Sequence, residues 1–306
     1  LRDRVLNDPL IIGKTVKISL IASDDVDQMI KGKINLNISQ ENRKISDFQV
    51  EAINKLKSNG DILTVFNKTL FTKSDSRVPE VSGVLGAIIG SFYCLFVAVC
   101  ISVPIGVFAA IFLQEFAKKN KITDFIEINI NNLAAVPSIV FGLLGLSVFI
   151  NFFHLPRSSP IVGGLVLALM SLPTIVIVTR ASLLAVPDTI RDGAIALGAS
   201  KMHAIFNQVL PLATPGICTG VIIALARALG ETAPLLMIGM IAFIPDTPIA
   251  ITDPATALPA QIFMWADHPE RAFVERTSAA ILILLSFLIV MNAAAIYISH
   301  KFEKKW

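Results

Sequence analysis

The chain has 306 residues, of which 54% are hydrophobic and only 16% are charged. Soluble domains carry about a quarter charged residues, so this composition, with a mean hydropathy of +0.70, excludes an ordinary soluble protein and indicates a membrane protein. The net charge of +3 is small. The three cysteines lie in apolar runs without metal-ligand spacing, which indicates burial rather than metal binding.

Residues 1–80 differ from the rest of the chain, because polar residues dominate and no apolar run reaches the roughly 20 residues that cross a bilayer. Alternation over residues 33–38 predicts a strand, and apolar residues on one side of 47–56 predict a helix. We interpret 1–80 as a small extramembrane segment. The chain begins with Leu1, so a preceding segment with a further span is also an expectation.

Five apolar regions follow, and each is long enough to cross a bilayer. They cover residues 81–114, 128–153, 159–178, 204–245 and 277–299. Pro104 predicts a kink in the first region, and Pro137 gives the second a broken beginning. Asn131, Asn132 and Ser138 in the second region are compatible with hydrogen bonds between helices or with the lining of a pore.

Lysine and arginine are unevenly distributed over the short connections between these regions. Three of them, Arg157, Arg271 and Arg276, lie on one side of the predicted membrane. Nine lie on the other: Lys118, Lys119, Lys121, Arg180, Arg191, Lys201, Lys301, Lys304 and Lys305. Cytoplasmic loops carry the excess of positive residues, so this distribution places the C-terminus and the polar stretch 187–211 in the cytoplasm and residues 1–80 outside.

The polar stretch 187–211 interrupts the apolar regions and predicts a short amphipathic helix. Asp188 or Thr189 can cap it, and Ile190, Ala194 and Leu197 share one face. Gly198 then allows the chain to turn. From composition alone, such a helix either rests at the membrane interface or docks a partner.

Arg227 and Glu231 are charged residues inside the fourth apolar region, where each costs about 2.5–3.5 kcal/mol on insertion scales. At a spacing of i, i+4 they share one helix face, so they are either a neutralised pair that fixes helix packing or the lining of a substrate path. In the second interpretation, arginine offers a forked donor to an oxyanion. Gly230 and Pro234 favour a broken helix whose freed N–H groups face an anion, and Thr232 adds a hydroxyl.

Other polar residues give weaker indications. Arg180 ends the third apolar region, where it either snorkels to the interface or provides a second anion contact. The chain contains no G-x-x-x-x-G-K-[ST] sequence and no recognisable catalytic set, and its four histidines are scattered. We therefore expect neither enzymatic activity nor ATP binding by this chain.

Two motifs resemble those of ABC importer permeases. Asp192-Gly193-Ala194, Gly198 and Leu210-Pro211 resemble the cytoplasmic signature of that family, a Glu-Ala-Ala triplet followed by a glycine and a distal Leu-Pro. Here Asp replaces Glu, Gly replaces the first Ala, and Gln208 stands where Ile is usual. The stretch 226–236, Ala-Arg-Ala-Leu-Gly-Glu-Thr-Ala-Pro-Leu-Leu, looks like the phosphate-specific permeases of the PstA type. The resemblance covers about residues 80–300.

The resemblance implies an all-α fold, the transmembrane domain of a type I ABC importer, over residues 81–306, in a bacterial inner membrane. Family members usually have six spans, so one more N-terminal span would be expected. A coupling helix at about 188–203 would sit in a groove of the ATPase subunit. The resemblance assigns to ATPase coupling Arg191, Asp192, Gly193, Ala194, Gly198, Leu210 and Pro211. The residues expected on the substrate path are Arg227, Glu231, Thr232 and Arg180.

The resemblance also implies the partners of this chain. They are a homologous second permease subunit, ATP-binding subunits that carry the ATP, an extracytoplasmic phosphate-binding protein and the lipid bilayer. We expect no catalytic residue, metal, cofactor or nucleic acid in this chain.

Two alternatives remain open at this point. One is a permease for another oxyanion, such as sulfate or molybdate, because only the 226–236 stretch points to phosphate. The other is a membrane docking or signalling protein that transports nothing. Arg227 and Glu231 argue against the second, because a scaffold has little use for costly charges inside the membrane.

Overall fold

The computed structural model describes residues 19–302, all of whose regular secondary structure is helical. The chain forms two compact units, Leu1–Phe66 and Asn67–Trp306. The boundary therefore falls earlier than the predicted one after residue 80. The reason is packing: the buried Leu70 belongs to the same core cluster as Val84, Trp265 and Phe273. The first 18 residues of the predicted extramembrane segment and the basic residues Lys304 and Lys305 lie outside the described residues.

The described part of the first unit contains two α-helices. They are α1, Asp24–Ile30, and α2, Asp47–Ser58. The predicted helix at 47–56 is confirmed, and Ser46 and Gln49 form a capping box at its start. The predicted strand at 33–38 is wrong, because the segment forms turns in which the Asn37 amide donates to Asn35 Oδ1. Such local bonds compete with strand pairing.

The second unit consists of helices that we number in chain order. They are α3 Thr69–Thr72, α4 Leu85–Ile111, α5 Lys121–Ala134, α6 Ser138–Leu144, α7 Pro160–Leu184, α8 Asp188–Ala196, α9 Lys201–Ala204, α10 Leu210–Gly230, α11 Ala233–Met237, α12 Leu258–Ala266 and α13 Ala272–Phe302. Three π-helical segments extend this set: Phe112–Phe116 continues α4, Gly145–Phe152 continues α6, and Ile205–Val209 joins α9 to α10.

Four helical stretches in the described part of the chain are long and apolar enough to cross a membrane. They are Leu85–Phe116, Pro160–Leu184, Lys201–Gly230 and Ala272–Ala294. They agree with the first, third, fourth and fifth predicted regions, and Pro104 lies inside α4 as expected. Helix α7, which corresponds to the third predicted region, does not end at Arg180. It continues to Leu184 because Leu183 is fully buried in a core cluster with Val186 and Ile217.

The second predicted span, 128–153, is not one helix. Helix α5 begins earlier, at Lys121, and the chain then bends by 103° between Ala134 and Ser138 before α6 continues. Pro137 stands at the bend with an extended backbone, and proline also disfavours the helical conformation of the residue before it. The pair is a broken span or a re-entrant loop, by its length and composition.

Helices α4 and α7 form the centre of the second unit. At Gly164 of α7 they approach so closely that a Cβ would lie 2.5 Å from Val97 Cβ and 2.7 Å from the Cys94 carbonyl oxygen. A larger residue cannot fit there without moving backbone atoms. This central pair packs against α10 and the α5–α6 bend, and polar residues lie on both.

Candidate functional site

The first group of polar residues lies where helix α10 ends. Helix α10 stops at Gly230, Glu231 is extended with φ −76° and ψ 120°, and α11 starts at Ala233 with Pro234 in its first turn. The broken helix predicted around Gly230 and Pro234 is therefore present. At the break the Glu231 amide leaves the i→i−4 pattern but still donates to the Ala228 carbonyl oxygen at 3.2 Å.

Arg227 and Glu231 form a loose pair at this break. Arg227 Nε lies 3.8 Å from Glu231 Oε1, which is longer than a hydrogen bond, and 66% of the Arg227 side chain is exposed. An ion pair that fixes helix packing is normally buried and hydrogen-bonded. The geometry thus leaves the guanidinium of Arg227 able to contact something outside this chain.

Arg227 lines a cleft at the α5–α6 bend. The cleft is bordered by Ser138 of α6, Ser171 and Thr174 of α7, and apolar residues including Met170. Ser138 is thereby placed at a cleft, whereas its role was open from the sequence. Ser171 and Thr174 were missed, although their i, i+3 spacing within an apolar helix is a usable signal for a polar face. The cleft combines one cation with several hydroxyl groups.

Glu231 and Thr232 do not border this cleft. They follow the end of α10, and Thr232 precedes α11 with its carbonyl accepting from the Leu236 amide at 3.1 Å. Of the four residues predicted on the path, only Arg227 is therefore among those that line the cleft.

Arg180 makes an ion pair between two helices. Its Nη2 donates to Glu127 Oε1 of α5 at 2.8 Å, and both side chains are partly buried. Its Nε is buried and has no hydrogen-bond partner. This geometry differs from both sequence interpretations, because the guanidinium reaches a carboxylate of a neighbouring helix. Glu127 could not be selected from the sequence, since it lies 53 positions away.

The second group of polar residues lies in the predicted coupling helix, 188–203, which the structure divides into α8 and α9. The longer part is α8. It ends at Ala196, and Gly198 then turns the chain with φ +90°, a conformation that favours glycine. Ser200 caps α9 by accepting from the His203 amide. Ile190 packs against a core cluster, but Leu197 is exposed because it follows the end of the helix. The predicted apolar face is therefore shorter than expected.

The residues of the predicted signature divide into exposed and packed ones. Asp192, Gly193, Gly198 and Pro211 are exposed, whereas Ala194 is half-buried. Leu210 packs against the same core cluster as Ile190. The exposed residues are each accessible to a partner.

The Arg191 side chain is mostly buried, although Asp188, Thr189 and Asp192 beside it are exposed. Its Nη2 and Nε donate to Glu115 Oε1 at 2.9 and 3.3 Å. Its guanidinium also donates to the carbonyl oxygens of Leu183 and Val186 at 2.7 Å each, and to Asp188 Oδ1 at 2.9 Å. Arg191 thus joins α8 to the end of α7 and to the π-helical segment after α4.

Comparison with known proteins identifies the family of this chain. Residues 102–304 match the family described as "Binding-protein-dependent transport system inner membrane component". The chain belongs to this family. Residues 1–40 match a separate family, described only as a domain of unknown function.

Curated relatives agree with this family. The probable ABC transporter permease protein YqgI of Bacillus subtilis is 32% identical over 76% of this chain and 83% of its own length. The phosphate transport system permease protein PstA of Haemophilus influenzae is 32% identical over 76% of this chain and 81% of its own length. The chain is therefore a multi-pass permease subunit of an ABC importer in the inner membrane, and the expectation that it is a transporter subunit rather than an enzyme is confirmed.

Solved structures agree on the fold. An inward-facing structure of the MetNI methionine ABC transporter has a TM-score of 0.57 at 16% identity and covers 72% of this chain and 95% of that chain. A bacterial alginate ABC transporter in complex with a pentasaccharide-bound periplasmic protein has a TM-score of 0.58 at 13% identity and covers 100% and 99%. The predicted type I ABC importer fold is confirmed.

Proposed function

We propose that this permease subunit carries inorganic phosphate into the cytoplasm and that Arg227 contacts the anion on its path. The observation that supports this most directly is the loosely paired guanidinium of Arg227 at the polar cleft beside a broken helix. A guanidinium matches phosphate oxygens with two parallel N–H groups. The relative from Haemophilus influenzae is named as a phosphate permease, which supports the same substrate.

The other cleft residues fit an oxyanion in chemical terms. The hydroxyl groups of Ser138 and Thr174 can donate to oxygen atoms, and Met170 and Phe141 provide apolar surroundings. Glu231, at 3.8 Å from Arg227, lowers the net positive charge near the cleft. We infer that it keeps phosphate from binding too tightly for release. Arg180 is already paired with Glu127, so it would reach the anion only if that pair opens.

The proposed transport cycle uses partner chains. The matched family is named for its dependence on binding proteins, and we infer an extracytoplasmic phosphate-binding protein, a second permease subunit and ATP-binding subunits that hold the ATP. The exposed residues Asp192, Gly193 and Gly198 of the α8 region would contact the ATP-binding subunit on the cytoplasmic side. ATP binding would shift the permease between inward- and outward-facing states through its differential affinity for them.

Radiolabelled phosphate uptake into proteoliposomes that hold the complex and enclosed ATP tests this proposal. We expect ATP-dependent uptake that excess sulfate and molybdate do not reduce. Arg227→Gln should lower uptake by about 10- to 100-fold, the range for losing a charged hydrogen bond. Arg271→Gln is the matched control, because Arg271 is an exposed arginine in a connection outside the cleft. Competition by sulfate would show that the permease accepts another oxyanion and would contradict the phosphate assignment. Normal uptake by Arg227→Gln would show that Arg227 does not contact the anion.

A further inference from the structure

The predicted coupling helix α8 is attached to helix α4 by a buried ion pair that spacing along the sequence does not reveal. Only 7% of the Glu115 side chain and 16% of the Arg191 side chain are exposed. Asp188 also accepts from Arg191 at 2.9 Å, but 89% of its side chain is exposed. Water competes with the Asp188 contact and not with the Glu115 contact, so Glu115 is the partner that fixes Arg191.

The remaining donors of Arg191 are also occupied. They bond the carbonyl oxygens of Leu183 and Val186, which belong to the last turn of α7 and the residues just after it. Arg191 therefore satisfies acceptors on the π-helical segment after α4, at the end of α7 and in the first turn of α8 itself. Lysine, with a single ammonium group, cannot reproduce this forked geometry.

A second contact joins the same two regions. Lys201 Nζ, at the start of α9, lies 5.5 Å from the centre of the Phe116 ring, within the range of a cation–π interaction. Glu115 and Phe116 both belong to the π-helical segment Phe112–Phe116. Arg191 of α8 and Lys201 of α9 thus both contact this one segment.

Apolar packing supports this attachment. Ile190 of α8 and Phe116 pack on a core cluster that includes Ile111 of α4 and Ile205. Ile205 begins the second π-helical segment, Ile205–Val209. The segment Phe112–Phe116 contacts the coupling region, and Ile205–Val209 directly follows that region in the chain. Such π-helical segments are frequent at functional sites.

We propose that Glu115 and Arg191 form a latch that makes α8 and the end of α4 move as one body. A displacement imposed on α8 by an ATP-binding subunit would then pass directly to α4, the central helix of the unit. The inference rests on the proposed role of α8 as the coupling helix. Glu115 is a positioning residue in this scheme, since it acts through Arg191 and does not touch substrate or nucleotide.

Distances between spin labels test the latch in the assembled complex. The labels are placed on Lys118→Cys and Thr189→Cys, both exposed positions, in a variant whose three cysteines are replaced by alanine. Pulsed electron double resonance then compares the nucleotide-free state with the ATP–vanadate-trapped state. We expect the same distance in both states for the chain with Glu115, and a state-dependent distance for Glu115→Gln. A change of more than about 2 Å with Glu115 present, the size of ordinary interface shifts, would overturn the latch, and so would a constant distance in Glu115→Gln.

The coupling ratio provides a functional test. In Glu115→Gln, phosphate imported per ATP hydrolysed should fall about tenfold, within the range of allosteric coupling, while ATP hydrolysis continues. Asp188→Asn removes the exposed carboxylate from the same arginine and should leave the ratio unchanged. An unchanged ratio in Glu115→Gln would contradict the proposal. If Glu115→Gln does not assemble, Arg191→Lys, which keeps the charge and loses the fork, is measured by both methods with the same criteria.

The two proposals fail in different ways. A complex that hydrolyses ATP and imports no phosphate would remove the proposed substrate, but the label distances would still report on the latch. Normal phosphate uptake together with independent movement of the two labels would support the proposed substrate and contradict the latch.

Discussion

Two Arg–Glu pairs in this chain differ in how they are made. Arg227 and Glu231 stand at i, i+4 in one region, yet their nearest atoms are 3.8 Å apart and the arginine is largely exposed. Arg191 and Glu115 are 76 positions apart, yet they bond at 2.9 Å and are buried. Spacing along a helix brings two groups near each other, but a tight buried pair requires helices to pack around it. The loose pair leaves the Arg227 guanidinium exposed, whereas the tight pair connects α8 to the π-helical segment after α4.

The two pairs should differ most in how much free energy of unfolding is lost when the glutamate is removed. Glu115→Ala leaves Arg191 buried without its carboxylate, which costs about 3–5 kcal/mol of unfolding free energy. Glu231→Ala removes the partner of an exposed arginine and should cost less than about 1 kcal/mol. Denaturation of the purified chain in detergent measures both. Similar losses for the two variants would show that the pairs do not differ in the way their burial indicates.

Breaking the pair between Arg180 and Glu127 should cost an intermediate amount of unfolding free energy. It bonds at 2.8 Å, but 23% and 31% of the two side chains are exposed. Glu127→Gln keeps an acceptor oxygen and loses the charge, so we expect a loss of about 1–2 kcal/mol. The same denaturation experiment checks this value, with Asp124→Asn as a control on the exposed surface of the same helix. A loss as large as that of Glu115→Ala would contradict the ordering by burial.

The comparison of these pairs also shows how far the sequence predicts the molecule. The lengths of the apolar regions predicted the four helices that are long enough to cross a membrane, and Gly230 and Pro234 predicted the break after α10. Both predictions use local properties of the chain. The 103° bend at Pro137 was only partly predicted, since its angle depends on what α6 packs against.

The errors and omissions arise from contacts between distant segments. Residues 67–80 were assigned to the extramembrane segment, but Asp75 accepts from the Trp265 indole and Ser74 bonds Thr247, so these residues pack within the second unit. Glu115 and Glu127 lie in stretches with no motif, and only the fold brings each to an arginine. For the candidate site, Arg227 was found because a charge in an apolar run is costly, whereas Thr174 was missed because a hydroxyl there is not.

The smallest effect concerns a carboxylate that is stabilised without a cation. Asp253 Oδ2 accepts from the amides of Ala250 and Ile249 at 2.8 and 3.0 Å, and these bonds lower the pKa of Asp253 below its usual value of 3.8. A lowered folded-state pKa contributes stability above the unfolded value and loses it as the pH falls through the folded value. We therefore expect the 249–253 turn to loosen only below about pH 3.8, visible as faster amide exchange at Ala250 after correction for intrinsic rates. Asp253→Asn should show little of this pH dependence. If the turn loosens near neutral pH in the unmodified chain, a group other than Asp253 controls its stability. The two amide donors would then not stabilise the Asp253 carboxylate as an arginine partner does.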